Sequence, residues 1–254
     1  MQKQAELPKK TQDSTTMARV VDAYKIYGKN DTEVRALNGV TIDFQKGVFT
    51  AIMGPSGSGK STLLHCAAGL DKLSQGTAEI AGHNLGKLKD KSLTMLRRKR
   101  VGFIFQSFNL VPTLTAKENI LLPLSIAGRK ADKKWFKDLV TLLGIADRLN
   151  HTPTELSGGQ IQRVAVARAL VSRPDIIFAD EPSGNLDSKS AAGLLQFLRK
   201  AANEYGQAIV MVTHDPNAAA YADRVVMLKD GNIVDEIKNP SVDTILEHFK
   251  KLGS

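Results

Sequence analysis

The segment GPSGSGKS at residues 54–61 sets Gly54, Gly59, Lys60 and Ser61 in the spacing G-x-x-x-x-G-K-[ST], with Gly57 between. That spacing suits a polyphosphate. Glycines let the backbone turn tightly, so that successive N–H groups converge on phosphate oxygens, and the N-terminus of a following helix adds a favourable dipole. Lys60 then brings a point charge to the β- and γ-phosphates, while the Ser61 hydroxyl is a candidate ligand of Mg²⁺. The implied ligand is a nucleoside triphosphate with Mg²⁺. Taken alone, the pattern does not separate kinases, GTPases, helicases and transport ATPases.

Two further clusters supply what such a site would need. Asp180 and Glu181 end the apolar run 176–179, which puts adjacent carboxylates at the carboxyl edge of a buried strand. Asp180 would help to hold Mg²⁺. Successive side chains on an extended strand project to opposite sides, so Glu181 reaches the same site only if the chain turns there, as Pro182 favours. Glu181 is then the candidate general base, orienting the water that attacks the γ-phosphate. His214 follows the next apolar run, 208–213, and its place at the same edge points to a γ-phosphate contact.

These residues must be positioned by a sheet. Residues 49–53 (FTAIM) read as a strand feeding the glycine-rich loop, and residues 62–68 as the helix after it, stopping at Gly69. The runs 176–179 and 208–213 have the size of buried parallel strands, and ligands sit at the carboxyl edge of such sheets. Strand-like runs alternating with helical patterns indicate an α/β fold. Residues 20–27, 39–44, 77–80 and 101–105 are strand candidates with few helices between them, which predicts an antiparallel β lobe beside the parallel core. From about 107 to 165 the pattern turns helical, with Trp135, Phe136, Leu139, Val140, Leu142 and Leu143 at helical spacing and Gly144 as a stop. That stripe reads as core packing. Residues 225–237 carry an Asp230-Gly231 hairpin signature, read as structural.

Composition narrows the class. In 254 residues, 42% hydrophobic and 24% charged, with 20 Gly and 9 Pro, disorder and collagen are excluded. The 35 basic and 26 acidic residues leave a net charge of +9, with one dense run, 97–100, and no aromatic interleaving. No nucleic-acid partner is expected. Cys66 is the lone cysteine and forms no internal disulfide, which fits a cytoplasmic setting. No run approaches the 18 apolar residues of a membrane span, and residues 1–16 read as a mobile polar tail without a secretion signal.

Leu156-Ser157-Gly158-Gly159-Gln160 precedes a helix expected over about 162–172, giving a second glycine-rich helix tip suited to an anion. Together with the phosphate loop, ADEPSGNLD at 179–187 and His214, it resembles the ATP-binding cassette family, over about residues 18–237. The resemblance implies a P-loop NTPase (RecA-like) core, a single cassette domain over 17–254, and Mg²⁺-dependent hydrolysis of ATP. Residue by residue, Tyr27 would stack on adenine, residues Gly54, Pro55, Ser56, Gly57, Ser58, Gly59, Lys60, Ser61 and Thr62 would cradle the phosphates, and Gln106 would reach Mg²⁺ and the attacking water. Asp180 and Ser61 complete the metal side, Glu181 and His214 the catalytic side, and Ser157, Gly158, Gly159, Gln160 and Asp187 the signature side.

In this family the signature of one cassette closes on ATP held by another. The resemblance therefore implies a head-to-tail dimer of identical cassettes sharing two ATPs, docked on separate membrane permease subunits at the inner face of the membrane. The stretch RRKRVGFIFQSFNLVPTLTAKENILLPL is most similar to MacB-like, LolD-like and BceA-like cassettes, which serve macrolide export, lipoprotein release and antimicrobial-peptide resistance. An FtsE-like role in cell division or an uptake role remains the alternative, and cargo lies outside what this chain encodes. A soluble two-cassette protein of translation or DNA repair has no room in 254 residues. A small-molecule P-loop kinase has no use for LSGGQ.

Overall fold

The computed structural model describes residues 15–253. The tail expected over 1–16 falls, for residues 1–14, outside the described residues, and Thr16 already opens the first strand. Among the described residues, ten strands and eight α-helices follow one another. Strands β1 (Thr16–Tyr27), β2 (Val34–Gln45), β4 (Gln75–Ile80) and β5 (His83–Asn84) form an antiparallel sheet in the order β2-β1-β4-β5. Strands β3 (Phe49–Met53), β6 (Val101–Ile104), β7 (Ile176–Asp180), β8 (Ala208–Val212), β9 (Arg224–Lys229) and β10 (Asn232–Lys238) form the second, ordered β10-β9-β3-β8-β7-β6. Every pair in it is parallel except the β9–β10 hairpin.

One expectation is corrected. The strand foreseen at 101–105 does not join the antiparallel lobe; as β6 it runs parallel to β7, pairing Val101 with Ile176. A short apolar run carries no mark of its partner. What seats it is Gly102, where a Cβ would lie 2.6 Å from the Ala169 carbonyl and force the neighbouring helix away.

Apart from Thr50 of β3 and Asp180 at the end of β7, the central strands β3, β7 and β8 are apolar, because both of their faces are buried. Alternation divides them between two cores. Phe49, Ala51 and Met53 of β3, with Ile209 and Met211 of β8, pack with helices α3 (Ala116–Ile126), α4 (Lys133–Leu142), α5 (Gly158–Leu170) and α6 (Ser188–Tyr205). Ile52 of β3 and Val210 and Val212 of β8 face the antiparallel sheet and α1 (Lys60–Ala67), where Phe44 meets Phe178 edge-on at 6.4 Å. Helix α2 (Asp90–Arg100) precedes β6, α7 (Pro216–Ala219) follows β8, and α8 (Val242–Gly253) ends the described chain.

In α4, Trp135, Leu139 and Val140 are buried, while Leu142 faces solvent. The basic run at the end of α2 is largely committed to the fold: Arg97 donates to the Gly69 carbonyl, Arg98 to that of Ile126, and Arg100 pairs with Asp175 at 2.6 Å. Among the described residues no helix is long and apolar enough to cross a membrane.

Candidate functional site: the phosphate loop and the signature helix

The glycine-rich loop leaves the carboxyl end of β3 and enters α1 through Gly59, at φ 98°. Two glycines are sterically required. A Cβ on Gly54 would sit 1.9 Å from the Leu228 carbonyl oxygen, and one on Gly59 2.1 Å from that of Ala36. Gly59 has no side chain to cap α1, and the first N–H groups of a helix lack intrahelical partners, so they remain available to an anion. Gly231, in the tight turn of the β9–β10 hairpin, donates its N–H to the Ser58 carbonyl at 3.1 Å. The hairpin therefore braces the loop, a role its sequence did not announce.

Ser58 is 3% exposed and its hydroxyl has no partner among the described residues, a polar atom prepared for a ligand. Lys60 curls over its own loop, with Nζ donating to the carbonyls of Gly54 at 3.0 Å and Pro55 at 2.7 Å. Burial pushes its ammonium below the ordinary lysine value, opposed by the nearby Glu181 and Asp180 carboxylates. A polyanion would relieve that cost.

The carboxyl edge brings the other groups in. Ser61 Oγ donates to Asp180 at 3.0 Å, and His65 Nε2 lies 3.5 Å from the other Asp180 oxygen. Glu181 has φ 47°, a left-handed conformation that costs a non-glycine residue about 1–2 kcal/mol. That turn frees its side chain from the strand's alternation, and its carboxylate lies 2.9 Å from His214 Nδ1. The backbone holds the turn through Glu181 N–H to the Val212 carbonyl and Gly184 N–H to that of Glu181. Thus residues 54–61, Asp180, Glu181 and His214 converge.

Tyr27, at the end of β1, is 43% exposed, and its hydroxyl donates to Asp71 at 2.8 Å with Thr62 beside it. Lys25 stands 4.7 Å from the ring centroid and pairs with Asp71. Asp71 was not foreseen; only the fold brings 27 and 71 together. Gln106 follows β6, exposed, and its carbonyl accepts from Asn185 Nδ2 at 3.1 Å.

The signature residues lie elsewhere. The helix begins at Gly158, not near 162, because Ser157 caps it and Gln160 closes a capping box, with Gln160 Oε1 accepting from the Ser157 N–H at 2.9 Å. Low helix propensity of glycine hid that first turn. Asp187 caps α6 by accepting from the N–H groups of Lys189 and Ser190, and a Cβ on Gly159 would approach Ser190 Oγ to 2.9 Å. No hydrogen bond or ion pair among the described residues joins residues 157–160 to residues 54–61. The two glycine-bearing helix tips thus stand apart within one chain.

Two residues that the motifs passed over connect them. Gln162 and Arg168 of α5 hydrogen-bond to loops bearing Glu181 and Gln106. A 3.6-residue periodicity reads both simply as members of a helix. A cavity of about 830 Å³ opens at the opposite, amino-terminal edge of the sheet, lined by Arg19, Lys46, Arg100, Trp135 and Tyr205. None of the convergent groups reaches it.

A profile of the ABC transporter family matches residues 37–184. The bacitracin export ATP-binding protein BceA of Halalkalibacterium halodurans is 50% identical over 216 residues, covering 84% of this chain and 85% of that protein. The macrolide export ATP-binding/permease protein MacB of Nitrosomonas europaea is 44% identical over 230 residues, 88% of this chain but 35% of that longer protein. Among solved structures, the ATP-binding cassette MJ0796, a dimer in a post-hydrolysis state bound to ADP and Pi, superposes with a TM-score of 0.81 at 41% identity, over 89% of this chain and all of that one. Fold, motifs and likeness together make the chain a member of the ABC transporter family, one of its ATP-binding and ATP-hydrolysing cassettes.

Proposed function

We propose that this cassette works as one half of a head-to-tail pair, closing on two ATPs and driving a separate membrane permease of the export or mechanotransmission kind. The observation that carries the reading is the separation of the two half-sites within one chain. The phosphate loop at 54–61 and the anion-suited helix tip at 157–160 do not meet within one chain, and two copies would complete each other, as the dimeric state of the MJ0796 cassette supports. Identical partners would give closed twofold symmetry.

Within each site the chain's own groups divide the work. The N–H groups of the 54–61 loop and the Lys60 ammonium hold the β- and γ-phosphates, with the Ser58 hydroxyl turned to them. Glu181 accepts a proton from the attacking water, and His214, hydrogen-bonded to Glu181, steadies that carboxylate and reaches the γ-phosphate. Gln106 orients the same water. Ser61 and Asp180 fit a hard divalent cation, and no group of three or more His, Cys, Asp or Glu among the described residues offers an independent metal site. Mg²⁺, bound there with substrate phosphate oxygens, would neutralise charge developing on the γ-phosphoryl group. Tyr27 stacks on the base.

The permease is assigned by family, and the export branch by the bacitracin and macrolide relatives; the cassette would then sit at the cytoplasmic face of the membrane. Sedimentation of Glu181→Gln with Mg-ATP tests the pairing: a shift from monomer to dimer is expected. A strictly monomeric species at high protein and ATP concentration would overturn it.

A further inference from the structure

Three non-glycine residues with positive φ lie in the loops that bear Glu181 and follow Gln106: Glu181 itself at 47°, Phe108 at 60° and Asn109 at 48°. Both loops are held by side chains from α5. Gln162 Nε2 donates to the Pro182 carbonyl at 2.5 Å, one residue past Glu181. Arg168 donates to the carbonyls of Phe108 at 2.6 Å and Asn109 at 2.5 Å. Gln162 is 0% exposed, and its Oε1 has no hydrogen-bond partner among the described residues. An amide buried with its oxygen unpaired is unfavourable as a packing element, since an apolar side chain of the same size would avoid that unpaired oxygen. Its single bond is therefore the feature to explain.

We propose that Gln162 is a positioning residue for Glu181. Its amide clamps the peptide that follows the left-handed turn, so the carboxylate stays aimed at His214 and the phosphate side. Without the clamp, Pro182 would hold a buried, unpaired carbonyl, and the 181–182 segment would relax toward a conformation in which Glu181 regains negative φ. The clamp stands five residues beyond Ser157 on one rigid helix, about 7.5 Å along its axis at 1.5 Å per residue. The tip that meets a partner cassette and the strut that holds the base therefore move together. Arg168, six residues further on, holds the loop after Gln106 to the same bar. This inference rests on Glu181 being the base, as proposed above.

The test is a double-mutant cycle on the full chain, with phosphate release from Mg-ATP followed in single turnover. Gln162→Met keeps length and volume and removes the donor; it should cut turnover roughly 10- to 100-fold, the scale of a misaligned group. Nucleotide affinity should stay within about twofold, because the cradle is untouched. In a Glu181→Gln background the same change should cost less than about twofold more, since residues acting as one unit are not additive. A full, independent loss in that background, or unchanged turnover in Gln162→Met alone, would overturn the proposal. If Gln162→Met does not fold, Gln162→Asn, whose amide falls one methylene short of Pro182, replaces it in the same cycle with the same criteria. Undiminished turnover in Glu181→Gln by itself would instead overturn the base assignment on which the inference stands.

Discussion

The phosphate half-site and the signature half-site are both glycine-bearing helix tips, yet they are built oppositely. The first is enclosed: β3 feeds it, the β9–β10 turn braces it, and backbone carbonyls of Leu228 and Ala36 leave no space for a Cβ at Gly54 or Gly59. The second stands open, with Ser157 and Gly158 exposed and nothing within 4 Å of a Cβ placed on Gly158. The enclosed glycines serve the fold and the ligand together. The open one has no steric reason in this chain to be glycine; the proposed closure of a second cassette on it would supply one.

That contrast can be broken or sharpened by substitution. The largest effect belongs to Glu181→Gln, which should lower phosphate release by about 10²- to 10⁴-fold while leaving ATP affinity nearly unchanged. Gly158→Asp comes next. Its carboxylate has room, so the melting temperature and single-chain nucleotide binding should hold, while ATP-driven pairing weakens by roughly 100-fold through like-charge opposition to the triphosphate. Sedimentation and nucleotide titration read the two separately; equal loss in both would erase the distinction between the half-sites.

Lys60→Ala should weaken ATP binding by roughly 10- to 100-fold, the loss of a charge-assisted hydrogen bond, and calorimetric titration would show it. Burial pushes the Cys66 thiol on α1 up to about 12, so at pH 8 the native chain should react with a thiol reagent only at the rate of unfolding. Fast labelling would mean that α1 opens locally and that the phosphate half-site is not the rigid one. The smallest change is expected at Thr115, which caps α3 in a capping box with Glu118. Thr115→Ala should cost about 1 kcal/mol in denaturant unfolding and leave nucleotide binding alone.

Legibility followed the range of the interaction. The loop at 54–61, the carboxylates at 180 and 181, His214 and the 157–160 tip are contiguous patterns whose chemistry depends on spacing along the chain. The hairpin at Asp230-Gly231 was legible for the same reason, with φ of 48° and 74° at its two turn residues. The residue pattern places the start of α5 four residues late because the very glycines that mark an anion site are poor helix formers, and only Ser157 and Gln160 betray the cap.

What the chain alone determined is a set of local patterns: a glycine-rich phosphate-type loop, adjacent carboxylates at a strand end, and a second glycine-bearing helix tip. Which groups meet was decided in three dimensions. Val101 joins β7 and not the antiparallel lobe, Tyr27 finds Asp71, Gly231 supports Ser58, and Gln162 reaches the carbonyl beyond Glu181. The reason is physical: a strand pairs and a buried amide bonds through geometry summed over distant segments, and no local pattern of residue types records which backbone group will be left without a partner.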